Sequence, residues 1–74
     1  MCITIEFLED MTVDIGGDPS KRLECVRFND GETLRGRPVA HVVESIHGPI
    51  EAFDLELAGG ETILNIPYSC VELH

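Results

Sequence analysis

Ser45, His47 and Asp54 supply the residue types of a hydrolytic relay, and fourteen acidic residues offer many carboxylate pairs. Relay chemistry needs more than that inventory. The nucleophile must be presented on a sharp turn, with backbone amides placed to stabilise the developing oxyanion. Ser45-Ile46-His47-Gly48-Pro49 reads as a loop with neither feature, since Gly-Pro does not sit inside a regular element. Carboxylate pairs that hydrolyse glycosides work in a sugar-binding cleft, which three Phe and one Tyr in 74 residues can hardly line. Gly16-Gly17 opens no helix, so there is no phosphate loop. No catalytic residue and no cofactor are expected, and the chain reads as a non-enzyme.

Cys2, Cys25 and Cys70, with His41, His47 and His74, are the metal-type side chains. A structural zinc site uses close ligand pairs, and a disulfide scaffold uses an even set of cysteines. Three cysteines without a Cys-x-x-Cys pair fit neither. Buried or half-buried free thiols and no metal site are expected. Lowering the Cys2 thiol pKa would need a basic or helix-N-terminal setting, and Ile3-Thr4-Ile5-Glu6 provides none. His41 lies among Val39, Val42 and Val43, where an imidazole satisfied by a hydrogen bond is the expected arrangement.

Charge carries the strongest functional signal. The net charge is −9 at pH 7 and is unevenly spread. All five basic residues, Lys21, Arg22, Arg27, Arg35 and Arg37, fall between two stretches that hold acids alone. Such a field repels phosphates, which excludes direct nucleic-acid binding. It suits a basic protein partner, whose encounter it would also accelerate. The carboxylates placed to meet that partner stand on the wet side of strands and at hairpin tips. Glu6, Glu9, Asp10 and Asp14 form one group at a predicted N-terminal hairpin. Asp30 and Glu32 form a second at an Asp-Gly turn, and Glu51, Asp54 and Glu56 a third along a middle strand. The alternative is a small-molecule or subunit-binding module whose acidity serves only solubility.

These side chains must be positioned by strands, because no helical period runs for ten residues. Ile3, Ile5 and Phe7 alternate with Thr4 and Glu6, and Met11, Val13 and Ile15 with Thr12 and Asp14. Gly16 to Ser20 is a run of turn formers. Leu23 to Phe28 reads as a strand, and Asp30-Gly31 between apolar runs is a strong hairpin signal. Pro38 marks a bend, a bulge or an edge in the next extended run. Phe53, Leu55 and Leu57 alternate with Asp54 and Glu56, followed by an Ala58-Gly59-Gly60-Glu61 turn. Pro67-Tyr68-Ser69 reads as one helical turn, and Val71 and Leu73 as a closing strand. The predicted core is Val26, Phe28, Leu34, Val43, Phe53, Leu55, Leu57, Leu64, Ile66 and Val71. So thin a core predicts a homodimer or larger ring.

A single all-β domain spanning 1–74 is expected, a small antiparallel barrel of five or six strands that closes on itself to hide its edges. Leu23 to Leu34 resembles the second and third strands of Sm-like and SH3-like barrels, and Ile66 to Leu73 is similar to their short turn and closing strand. Within that group the layout over residues 22–74 resembles the Rho-off family of acidic inhibitors of the transcription terminator Rho. Asp30-Gly31-Glu32, Glu51-Ala52-Phe53, the Ala58-to-Thr62 turn and His74 carry that likeness. It departs from the family at residues 1–19, which read as strand where the family has an acidic helix. The resemblance implies an inhibitor that occupies the nucleic-acid-binding face of a Rho-type terminator, and the charge suits a phage or host defence complex equally. No segment is long and apolar enough to span a membrane. Met1 to Glu6 lacks the basic start of a signal peptide, so a cytoplasmic location is expected.

Overall fold

The computed structural model describes residues 1–16 and 24–74. Most of the predicted 16–20 turn, and Leu23, lie outside them. Period-two alternation sets the strands: β1 (Ile3–Phe7), β2 (Met11–Gly16), β3 (Glu24–Phe28), β4 (Thr33–Ser45), β5 (Gly48–Glu56), β6 (Thr62–Pro67) and β7 (Val71–Leu73). A single 3₁₀ turn, Tyr68–Cys70, follows β6 where one helical turn is predicted. Among the described residues no helix is long and apolar enough to cross a membrane.

All pairings are antiparallel, in the order β3-β2-β6-β5-β4-β1-β7. The sheet curls into a half-barrel, so that Phe28 from its first strand stacks on Phe7 from its sixth, with ring centroids 4.7 Å apart. Seven strands form among the described residues, which corrects the expected five or six. The pairing also departs from expectation at Leu8-Glu9-Asp10. β1 and β2 do not pair with each other, so the predicted N-terminal hairpin does not form. β1 lies between β4 and β7, while β2 lies between β3 and β6.

Ile5, Phe7, Val13, Phe28, Phe53, Leu55, Ile63, Ile66 and Val71 form the core, with Val26, Leu34 and Leu57 partly buried against it. Two predicted members are displaced. Asn65 adopts a positive φ of 56°, which breaks the alternation of β6. Ile63 and Ile66, three residues apart, therefore both turn inward, and Leu64 is only half-buried. Val43 lies on a part of β4 that has left the core.

That part is an arm. β4 and β5 pair without interruption from Arg37↔Glu56 to Ser45↔Gly48. β1 accompanies β4 only as far as Gly36, and β6 accompanies β5 only from Ala52 onward. Pro38, which has no amide to donate, sits just past the last β1 pairing, where none is required. Gly36 marks the crowded base of the arm. A Cβ there would stand 2.6 Å from the Glu56 carbonyl oxygen and 2.8 Å from Leu55 Cγ.

Candidate functional site

The loop between β1 and β2 is fixed from both sides. Phe7 N–H donates to the Glu32 carbonyl at 2.9 Å, Gly31 N–H donates to the Phe7 carbonyl at 2.8 Å, and Leu8 N–H donates to the Cys70 carbonyl at 3.0 Å. The Asp10 carboxylate completes the junction. Its Oδ1 accepts the Asp30 backbone N–H at 2.7 Å, and its Oδ2 accepts the Arg27 guanidinium at 3.2 Å. The Asp30 amide first, and then Arg27, hold Asp10 below the usual carboxylate range.

One rim of the half-barrel therefore gathers Glu9, Asp10, Asp30 and Glu32, all exposed, from segments twenty residues apart. Glu32 accepts the Asn29 side-chain amide at 3.0 Å, and Glu9 accepts the Cys70 thiol at 3.1 Å. Burial, followed by the Glu9 carboxylate, pushes the Cys70 thiol up, so the thiol stays protonated and donates. Neutral donors fix these two carboxylates without cancelling their charge. The two loops appear in the sequence as separate acidic groups, and the β1–β4 and β2–β3 registers bring them together.

The remaining candidates stand elsewhere. Asp14 faces outward on β2 opposite Cys25, whose thiol it accepts at 3.3 Å and pushes up. Glu6 lies across from Glu72 on β7 and meets His74 Nε2 at 3.3 Å. Donor atoms of Glu6, Glu72 and His74 all fall within 4.8 Å of one another, which makes them, among the described residues, a set that could hold a cation. The third group does not share a face. Glu51 lies beside Ala40, Val42 and Tyr68 along an open hollow, while strand alternation turns Asp54 and Glu56 to the other side of β5. Glu56 lies 3.7 Å from Arg37, with both side chains largely in solvent.

Asp54 has a structural role that its spacing did not announce. Its Oδ1 accepts the Asn65 backbone N–H at 3.0 Å and meets His41 Nε2 at 2.9 Å. The β6 bulge thus aims its amide at β5, and His41 has the hydrogen-bonded partner expected of it. Ser45, His47 and Asp54 do not assemble. Ser45 Oγ donates to the Gly48 carbonyl at 2.7 Å within the hairpin turn, and Asp54 pairs six residues down the arm, opposite Val39.

The cysteines are free, as expected, but Cys2 and Cys25 are exposed rather than buried, and only Cys70 is half-buried. Cys25 alternates with the inward Val26 and Phe28, and Cys2 precedes β1, so neither reaches the core. No protein-family model, no curated protein and no solved structure matches the chain.

Proposed function

We propose that this protein is an acidic protein-binding inhibitor that presents its Glu9–Asp10–Asp30–Glu32 rim, in place of nucleic acid, to a basic nucleic-acid-binding partner. The observation that carries this reading is the 2.7 Å bond from the Asp30 amide to Asp10, which joins two acidic loops into one rigid surface. At physiological salt the screening length is about 8 Å, so carboxylates act on a partner together only when they lie this close. Rigid spacing matters for the same reason it matters in any charged interface: a preorganised array loses little entropy on docking. Partners of the right chemistry are a Rho-type terminator or a nucleic-acid-guided defence complex. The curled sheet is in this reading a variant of the Sm-like and SH3-like barrels, extended by β1 and β2.

Competition tests it. Labelled RNA is bound to Rho, and in a parallel arm to a nucleic-acid-guided nuclease, and displacement is followed by fluorescence anisotropy as the protein is added. Release that weakens steeply with salt is expected from at least one of them. A Glu9→Lys, Asp30→Lys, Glu32→Lys variant should lose it, leaving Asp10 to hold the loops. A variant with the same charge change away from the rim, Glu24→Lys, Glu44→Lys, Glu61→Lys, should retain most of it. Release from neither complex, or equal release by a folded rim variant at low salt, overturns the proposal.

A further inference from the structure

The β4–β5 arm carries a strand edge and apolar side chains that the acidic rim does not use. Val39, Val42, Ile46 and Ile50 are 43%, 57%, 96% and 42% exposed. Along β4 the edge beyond Gly36 has no neighbouring strand among the described residues. Antiparallel ladders exchange bonds at alternate residues. Phe7 N–H bonds the Glu32 carbonyl, and Ile5↔Leu34 and Ile3↔Gly36 follow at intervals of two. Even-numbered residues of β4 therefore direct their backbone groups away from β5. Past Gly36 these are Pro38, Ala40, Val42 and Glu44. Natural sheets blunt such edges with charged side chains, proline or bulges, and here Pro38 stands at the base and Glu44 at the tip, with Ala40 and Val42 unguarded between them.

We infer that this edge is a homodimer interface, in which β4 of a second copy adds antiparallel across a two-fold axis at His41 to make one continuous sheet. In that register Ala40 and Val42 exchange both backbone bonds with the second copy's Val42 and Ala40, and the Glu44 amide reaches the Pro38 carbonyl. Val39 then meets Val43 on one face and Ala40 meets Val42 on the other, so apolar side chains oppose apolar ones on both sides of the His41 axis, where the two imidazoles face each other.

Charge selects the occupant. Residues 38–50 contain no Lys, Arg or Asp and a single Glu, Glu44, in a chain of net charge −9. A basic partner finds almost nothing to pair with there. A second copy, equally acidic, finds the long stretch where two chains can meet without opposing carboxylates, and the proposed register sets Glu44 against Pro38.

Sedimentation velocity from micromolar to hundreds of micromolar, combined with amide hydrogen exchange on the same samples, tests this. The wild-type protein is expected at twice its 8.2 kDa chain mass at the upper concentrations. The amides of Ala40, Val42 and Glu44 should become protected as the dimer forms and exchange freely on dilution. Val42→Lys places a charge at an already exposed site, so its circular dichroism should be unchanged while the dimer and that protection are lost. Ala40→Pro removes one outward amide and should do the same. A wild-type protein that stays at 8.2 kDa throughout, a dimer that survives Val42→Lys, or a dimer whose Ala40 and Val42 amides remain unprotected overturns the assignment.

Discussion

The body of the sheet and the arm of β4 and β5 share two strands, yet their side chains meet opposite fates. In the body, Leu34 and Gly36 of β4 and Phe53 and Leu55 of β5 face a curled layer that includes Phe7, Phe28 and Ile66, and are wholly or partly buried. Further along β4 the same alternation continues through Ala40 and Val42, and both are exposed because no second layer lies over them among the described residues. Alternation assigns a residue to a face. Whether that face is dry depends on where the sheet curls, and β1 and β6 decide that by ending at Gly36 and Ala52. The charges divide in a related way: the body holds the acidic rim, and the outer part of the arm, residues 38–50, holds Glu44 as its one carboxylate side chain.

The sharpest way to break this comparison is to truncate one apolar side chain in each region. Phe53→Ala empties the centre of the core and should cost about 3–5 kcal/mol, enough to abolish cooperative folding in a chain this small. Val42→Ala on the arm should change monomer stability by no more than about 0.5 kcal/mol. Urea unfolding at low micromolar concentration measures both, and a comparable loss at Val42 would mean that the arm is part of the core. Gly36→Ala probes the boundary. Its Cβ has no space against Glu56 and Leu55, so about 1–3 kcal/mol should be lost from overpacking.

Asp10 sharpens the electrostatic half. Its folded-state pKa is depressed by the Asp30 amide and by Arg27, so it contributes stability above its unfolded value of about 4 and loses it as pH falls through the folded value. The melting temperature of Asp10→Asn should therefore lie below wild type at neutral pH, with the gap closing in acid. A gap that widened in acid would contradict the assigned sign. The exposed Arg37–Glu56 pair should contribute least, with Arg37→Ala changing stability by about 0.5 kcal/mol or less.

Much of the body was legible from spacing alone. Period-two alternation located β1, β2 and the inner half of β5, although the expected total of five or six strands fell short of seven; Asp30-Gly31 and Ala58-Gly59-Gly60 located two turns, and Pro67-Tyr68-Ser69 the 3₁₀ turn. The rest depends on long-range register or on one unusual dihedral. Nothing local separates a true hairpin at Leu8-Glu9-Asp10 from two strands that part and pair elsewhere. The shift from Leu64 to Ile63 rests on the positive φ of Asn65, a residue type that tolerates it without requiring it. Glu9 and Glu32 could be read from sequence as exposed acids, but their convergence required the pairing of β1 with β4. Likewise Asp54 reads as a wet-face carboxylate until the bulge in β6 brings the Asn65 amide to it.

One paired measurement bears most directly on the division of labour between rim and arm: RNA displacement and dimer mass, determined side by side for the Glu9→Lys, Asp30→Lys, Glu32→Lys variant and for Val42→Lys. The rim variant should lose displacement and remain a dimer, whereas Val42→Lys should become monomeric and still displace RNA from the basic partner. A folded rim variant that displaces RNA as well as wild type does at low salt would contradict the central claim, because the acidic rim would then have no role beyond keeping the protein in solution.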